Sequence, residues 1–327
     1  MIQSREKWVD DVKLFACILV TLGHFFQSMV ASGILPETGL YNWFNRTIYF
    51  FHVPLFFLCS GYLYQKKIGG GGRLERIGRK AISLGIPYVV FSTVTWLLKK
   101  VFSGSVNTQY AGLLYTLLVK PVSPYWYLYT LFFLFLVMPR FSGSRTAALG
   151  VLIATWMKAL RIFGAETEIY AVDSVMDNTL WFVLGMLLQL VRPVICRLRT
   201  GILCGAAFLA ASICFSEGNI HGGLVSVLMG LWGCVSVLLI LRGRNWNPRL
   251  RKTADLLEGY TMPVFLMHTI FAAGFRAILM KLGITDSGIH VAVGLVVSFS
   301  CPVIAAAIME RLQVDFVLYP NRYLFRK

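Results

Sequence analysis

The chain has 327 residues, of which 57% are hydrophobic and only 14% are charged, and its mean hydropathy is +0.68. Soluble proteins carry about 25% charged residues, so this composition excludes an ordinary soluble domain and indicates a multi-pass membrane protein. The net charge of +16 is concentrated in alternate loops, at residues 66–80, 192–199 and 242–252. That distribution is the positive-inside pattern, which membrane lipid explains without any nucleic-acid partner.

Apolar blocks long enough to cross a bilayer follow one another along the whole chain. Because open backbone groups find no water in the bilayer, all of them are expected to be helices. We therefore predict one all-α domain over residues 1–327 in the cell (cytoplasmic) membrane, with about ten transmembrane helices and both termini cytoplasmic. The predicted spans are 12–34, 44–65, 81–98, 124–140, 145–163, 174–192, 200–216, 222–241, 256–280 and 288–311. The stretch 110–120 is apolar but too short to span, which favours an interfacial or re-entrant segment.

The segment WVDDVKLFACILVTLGHFF (residues 8–26), which overlaps the first predicted span, contains a histidine deep within apolar sequence. At 100° per residue, His24 lies within about 20° of the face of Lys13 and roughly 16 Å from it along the axis. Asp10 shares that face within about 40°, whereas Asp11 points away. Ionisable residues inside a membrane are costly, so they are functional candidates. The functional interpretation is a general base at His24 below a cation at the cytoplasmic mouth; the alternative is interface anchors and a hydrogen-bonded core histidine.

Three later segments carry further polar candidates. The second span contains FFHVPLFFLCSGYL (residues 50–63), in which His52 is a candidate and Gly61 permits close helix contact. The fourth span opens with SPYWYLYTLFFLFLVMP (123–139), where Trp126 belongs to an aromatic belt. The ninth span holds GYTMPVFLMHTI (259–270), with His268 buried and Arg276 two turns further on, either at a lipid headgroup or in a polar pocket. The cysteines show no spacing typical of a metal site, so no metal is predicted.

Taken together, these segments resemble the acyltransferase-3 family of integral membrane O-acyltransferases. The resemblance covers the full chain in order: Asp10-Asp11-Val12-Lys13 with His24, FFHVPLFFLCSGYL, RKAISLGIPYVVF (79–91), SPYWYLYTLFFLFLVMP and YTMPVFLMH (260–268). Lys13 stands where the family commonly has arginine, which keeps the charge but loses the bidentate fork.

The resemblance implies transfer of an acyl group, usually acetyl from acetyl-CoA, to a hydroxyl of a surface or lipid-linked glycan. With the residues above, it suggests that Lys13, Arg79 and Lys80 attract the CoA phosphates and that the pantetheine arm reaches His24 along the first helix. His24 would act as general base, with Asp10 and Lys13 on the same face. His52, His268, Arg276 and Trp126 are supporting candidates, and the first three of these could donate to the oxyanion.

Two other functions are compatible with the same residues. A transporter of a polar solute or lipid-linked sugar could use the intramembrane histidines as proton relays. A scaffold or sensor bundle would need neither Lys13 nor His24 for anything except folding.

Overall fold

The computed structural model describes residues 6–66, 72–102, 111–191, 197–217, 222–244 and 247–324. Within those ranges the chain forms α-helices and one short 3₁₀ helix (Asp315–Val317), and no strand occurs there. The helices are α1 (Lys7–Ala31), α2 (Gly39–Lys66), α3 (Arg73–Val101), α4 (Leu113–Leu118), α5 (Trp126–Val137), α6 (Ser144–Ile162), α7 (Tyr170–Leu190), α8 (Leu198–Glu217), α9 (Gly223–Gly243), α10 (Pro248–Glu258), α11 (Thr261–Lys281), α12 (Ser287–Arg311) and α13 (Asn321–Leu324). The predicted loop positions 67–71 and 192–196 lie outside the described residues.

The all-α membrane architecture is confirmed. Every predicted span contains a helix, and eight helices in the described ranges are long and apolar enough to cross a membrane: α1, α2, α3, α7, α8, α9, α11 and α12. The other two predicted spans fall short for different reasons. Helix α5 has 12 residues, or about 18 Å at 1.5 Å per residue, against a hydrocarbon core of about 30 Å. Helix α6 is long enough but carries Arg145, Lys158 and Arg161.

The ninth predicted span, 256–280, begins too early. Residues up to Glu258 belong to α10, a separate amphipathic helix, and the long apolar helix α11 starts at Thr261. The side chain of Asn247 accepts a hydrogen bond from the backbone N–H of Arg249, which caps the start of α10. The apolar residues Leu256 and Leu257 lie only a few positions before α11, so hydropathy alone merged two helices that a turn separates.

The stretch 110–120 forms only a six-residue helix, α4, and residues 103–110 lie outside the described part of the chain. Tyrosines from two neighbouring helices hold α4 in place. The hydroxyl of Tyr88 on α3 donates to the carbonyl of Leu117 at 2.7 Å, and that of Tyr129 on α5 donates to the carbonyl of Leu118 at 2.8 Å.

Helix α2 lies at the centre of the bundle and packs against α1, α7 and α9. It crosses α7 at a pair of glycines. A Cβ atom at Gly61 would collide with the backbone carbonyl of Phe182, and one at Gly185 would collide with that of Leu58. Small residues allow such backbone contact, which drives helix association in membranes, where the lipid is as apolar as the helices. The predicted role of Gly61 in close helix contact is therefore confirmed.

Candidate functional site

Helices α1 and α11 run parallel and in contact, and the polar residues of α1 lie along this junction. The Cys17 thiol is 3.5 Å from the carbonyl oxygen of Thr261. One turn beyond His24, the Arg276 guanidinium donates to the Ser28 carbonyl at 2.9 Å and to the Ser28 hydroxyl. The residue numbers of the two contacts increase together along α1 and α11, so the two helices run parallel. Two cavities open along this junction, one lined by each half of the polar face of α1.

The first, which we call the large cavity, has a volume of about 330 Å³. Its wall combines four ionisable side chains with aromatic, aliphatic and hydroxyl groups. The ionisable residues are Asp10, Lys13, Lys80 and Glu258, and the other polar side chains are Ser60, Tyr127, Thr261 and Tyr319. Asp10 and Lys13 therefore face one space, as the helical periodicity predicted.

Several contacts fix the wall of the large cavity. The Lys80 ammonium lies 4.3 Å from the centre of the Phe135 ring, a cation–π contact. The Ser60 and Tyr127 hydroxyls are hydrogen-bonded at 3.0 Å. The Tyr127 and Phe265 rings meet edge to face with centroids 5.7 Å apart, and Phe56 packs against both. These three rings form an aromatic cluster in the wall of the cavity, one helical turn before His268.

The second, the small cavity, has a volume of about 30 Å³ and lies beside the middle of α1. It is lined by Thr21, His24, Phe25, Ser28, His268, Thr269, Ala272 and Ser298. The rings of His24 and His268 face each other there, with centroids 5.5 Å apart and planes inclined by 35°. The structure thus brings together two histidines that sequence analysis could name but could not pair.

The hydrogen bonds of His268 determine which of its ring nitrogens carries the proton. Its Nδ1 lies 2.9 Å from the carbonyl oxygen of Val264 and 3.0 Å from that of Phe265. Because a carbonyl oxygen can only accept, Nδ1 carries the proton and Nε2 of the neutral ring carries a lone pair. That Nε2 is buried and makes no hydrogen bond within the described structure, and the same is true of the hydroxyls of Thr21 and Thr269.

His52 lies on α2, which packs against α1. It is buried, its Nδ1 is 2.6 Å from the carbonyl oxygen of Ile48, and its ring meets that of Tyr49 edge to face at 4.5 Å. As at His268, the carbonyl assigns the Nδ1 proton, so neutral His52 presents an acceptor rather than a donor on its other nitrogen.

The remaining predicted site residues lie at varying distances from the two cavities. Arg276 reaches the small cavity only through Ser28. Trp126 packs against Phe57 in a neighbouring cluster and lines neither cavity. Arg79 lies on the exposed side of α3, where it forms an ion pair with Glu75, so the adjacent Lys80 is the α3 cation in the wall of the large cavity.

Sequence analysis missed an ionic cluster next to the large cavity. The Arg251 guanidinium of α10 contacts Asp11 at 2.7 Å, Asp255 at 2.6 Å, and Glu258, whose side chain is buried. Asp11 points away from the cavity, as predicted, but its partner comes from the other end of the chain. Burial, together with a hydrogen bond to Asp11, raises the pKa of Glu258 to about 7. The cluster ties α1 to α10 beside the cavity that Glu258 lines.

Comparison with known proteins places this arrangement in a family. A family model described as an acyltransferase domain, Acyl_transf_3, matches residues 6–307. The chain belongs to the acyltransferase-3 family. Apart from Tyr319 of the large cavity, the residues that line the two cavities lie within the matched region, and eight described helices are long and apolar enough to cross a membrane.

Two curated relatives are both named nodulation protein NolL. The one from Mesorhizobium japonicum is 27% identical over 135 residues, which is 41% of this chain and 35% of the relative. The one from Sinorhizobium fredii is 28% identical over 152 residues, 46% of this chain and 41% of the relative. The matched part thus spans less than half the length of either relative. No solved structure shows significant similarity to the chain.

Proposed function

We propose that the protein is an O-acyltransferase that moves an acyl group, most simply acetyl from acetyl-CoA, to a hydroxyl of a surface or lipid-linked glycan. The observation that carries this proposal is the arrangement of two cavities along one face of α1. The larger holds the cations Lys13 and Lys80, and the smaller holds His24. The spacing of roughly 16 Å along α1 between Lys13 and His24 suits a donor that is anionic at one end and carries the reactive thioester at the other.

The large cavity suits the phosphate end and arm of the donor. Ammonium groups at Lys13 and Lys80 form charge-assisted hydrogen bonds with phosphate, and the apolar wall accommodates a pantetheine chain. A volume of about 330 Å³ is at the lower end of the range of small-molecule pockets, so it holds part of acyl-CoA rather than all of it. Arg79, at the exposed surface beside Lys80, contributes to attraction at longer range.

In the proposed reaction His24 removes the proton of the acceptor hydroxyl as its oxygen attacks the thioester carbonyl carbon. The new C–O bond forms, the C–S bond breaks, and the thiol leaves with a proton. General-base catalysis of this kind contributes about 10²–10⁴-fold. Neutral His52 and His268 are poorly suited to stabilise the oxyanion because their free nitrogens are acceptors. Thr21 and Thr269 are better placed, since both residues line the small cavity and their hydroxyls are buried without a hydrogen-bond partner among the described residues.

The function is tested by supplying membranes that contain the protein with acetyl-CoA labelled in the acetyl group. We expect label to appear in base-labile ester linkage on the glycan fraction, in proportion to the amount of protein. A transporter would instead move solute in vesicles without acyl-CoA and leave the glycan unlabelled. Absence of ester label with acetyl-CoA and with longer acyl-CoAs would contradict the proposal.

A further inference from the structure

The Nε2 atom of His268 can accept a hydrogen bond but cannot donate one. Its Nδ1–H is donated to the backbone carbonyls of Val264 and Phe265 on its own helix, so the Nε2 edge points away from that helix. Nε2 is buried, lacks a hydrogen-bond partner in the described structure, and belongs to a side chain that is only 1% exposed. The residue therefore presents a lone pair, fixed in direction by the backbone, to whatever lies opposite.

His24 lines the same small cavity as His268. With ring centroids 5.5 Å apart, a side-chain rotation brings a nitrogen of His24 within hydrogen-bond distance of Nε2 of His268.

From this polarity we infer that His268 is a positioning residue that fixes the tautomer of His24. Because Nε2 of His268 can only accept, the nitrogen of His24 that bonds to it in this pair must carry the proton. The other nitrogen of His24 is then the unprotonated one and is available as the base. The inference rests on the proposed function. In catalytic triads a third group orients the base, and here His268, held by backbone carbonyls of its own helix, would orient His24 in the same way.

His290 provides a matched control. It is also a 1% exposed histidine, and its Nε2 lies 2.8 Å from the carbonyl oxygen of Ile284 while its Nδ1 is buried without a partner in the described structure. However, it lines neither cavity. If a buried histidine bonded to a carbonyl serves only to hold helices together, substitutions at His268 and His290 should have similar effects.

The kinetic test compares His268→Gln, His268→Asn and His268→Leu at equal membrane abundance. Gln places its amide oxygen near the position of Nε2 and can still accept, whereas Asn is too short and Leu has no acceptor. We expect His268→Gln to retain kcat within about tenfold, and His268→Asn and His268→Leu to lose about a hundredfold with an unchanged KM for acetyl-CoA. His290→Leu should retain wild-type kcat. Equal activity of the Gln and Asn variants, or a loss confined to KM, would overturn the inference.

A second readout does not depend on turnover. The ¹⁵N NMR signals of protein labelled with ¹⁵N-histidine report the protonation of each ring nitrogen. The chain has five histidines, and the signals of His24 are assigned as those that disappear in His24→Asn. We expect a single neutral tautomer for His24 in the wild type and a mixture in His268→Leu. A single unchanged tautomer in both proteins, or a mixture in the wild type, would overturn the inference. Failure of acyl transfer by the wild type would instead count against the proposed function.

Discussion

His24 of α1 and His268 of α11 face each other across a cavity of about 30 Å³, with ring centroids 5.5 Å apart. Lys13 lies eleven residues before His24 on the same helix face and lines a separate cavity of about 330 Å³. The proposed function depends on this division. We propose that the cations of the large cavity bind the donor and that His24, which lines the small cavity, is the base, so substitutions in the two cavities should affect different kinetic constants.

The first prediction concerns the cations of the large cavity. Lys13→Ala and Lys80→Ala should each raise the KM for acetyl-CoA about tenfold or more, because a hydrogen bond to a charged group contributes about 1.5–3 kcal/mol. Arg79→Ala should have a smaller effect, since Arg79 pairs with Glu75 on the exposed side of α3. Initial rates over a range of acetyl-CoA concentrations provide the measurement, with Lys13→Arg as a variant that keeps the charge. A larger effect at Arg79 than at Lys80 would contradict this assignment.

The second prediction separates two neighbouring aspartates. Asp11 is buried and contacts Arg251 at 2.7 Å, and breaking a buried ion pair by removing one partner costs about 3–5 kcal/mol. Asp11→Asn should therefore lower the thermal unfolding temperature of the purified protein substantially. Asp10→Asn, at a residue that lines the large cavity, should instead change the KM for the donor with little effect on unfolding. The reverse pattern would show that the roles of the two residues are exchanged.

The third prediction is a pH dependence of stability. The pKa of Glu258 is raised to about 7, mainly by burial and by its hydrogen bond to Asp11. The folded state therefore holds this proton more tightly than the unfolded state, in which the carboxyl has a pKa of about 4.3. The contribution to stability is fully present below about pH 4 and is lost as the pH rises through 7.

The unfolding temperature should accordingly fall between pH 5 and pH 8 in the wild type. Glu258→Gln, which keeps the hydrogen-bonding capacity without the titration, should show a smaller fall over the same interval. Differential scanning fluorimetry across that range makes the comparison. An equal pH dependence in the two proteins would exclude Glu258 as the titrating group.

The fourth prediction tests the packing of the bundle. Gly61→Ala should reduce the yield and unfolding temperature of the protein, because the added Cβ would collide with the carbonyl of Phe182 on α7. Gly85→Ala on α3 is the control, since a Cβ there has open space around it. Equal stability of the two variants would mean that α2 and α7 can separate at this crossing without cost.

Helical periodicity was sufficient to predict that Asp10, Lys13 and His24 lie on one face of α1, because all three belong to one uninterrupted helix. It could not reveal that His268 faces His24 or that Arg251 binds Asp11, since these contacts join opposite ends of the chain and depend on how the helices pack. Hydropathy also failed at the junction of α10 and α11, where the apolar side chains at 256–257 continue into the span although the turn at 259–260 separates the helices. Composition also does not show where a helix ends within an apolar segment, so the segment that contains the 12-residue α5 was predicted to be a full span.

The most direct test of the account is the acyl transfer activity of His24→Asn, measured with labelled acetyl-CoA in membranes that contain equal amounts of wild-type and variant protein. The account predicts a loss of kcat of about 10²–10⁴-fold with the KM for acetyl-CoA nearly unchanged, because the donor is bound in the other cavity. His290→Asn should retain activity as the matched control. Wild-type kcat in folded His24→Asn would contradict the role of His24 as the general base.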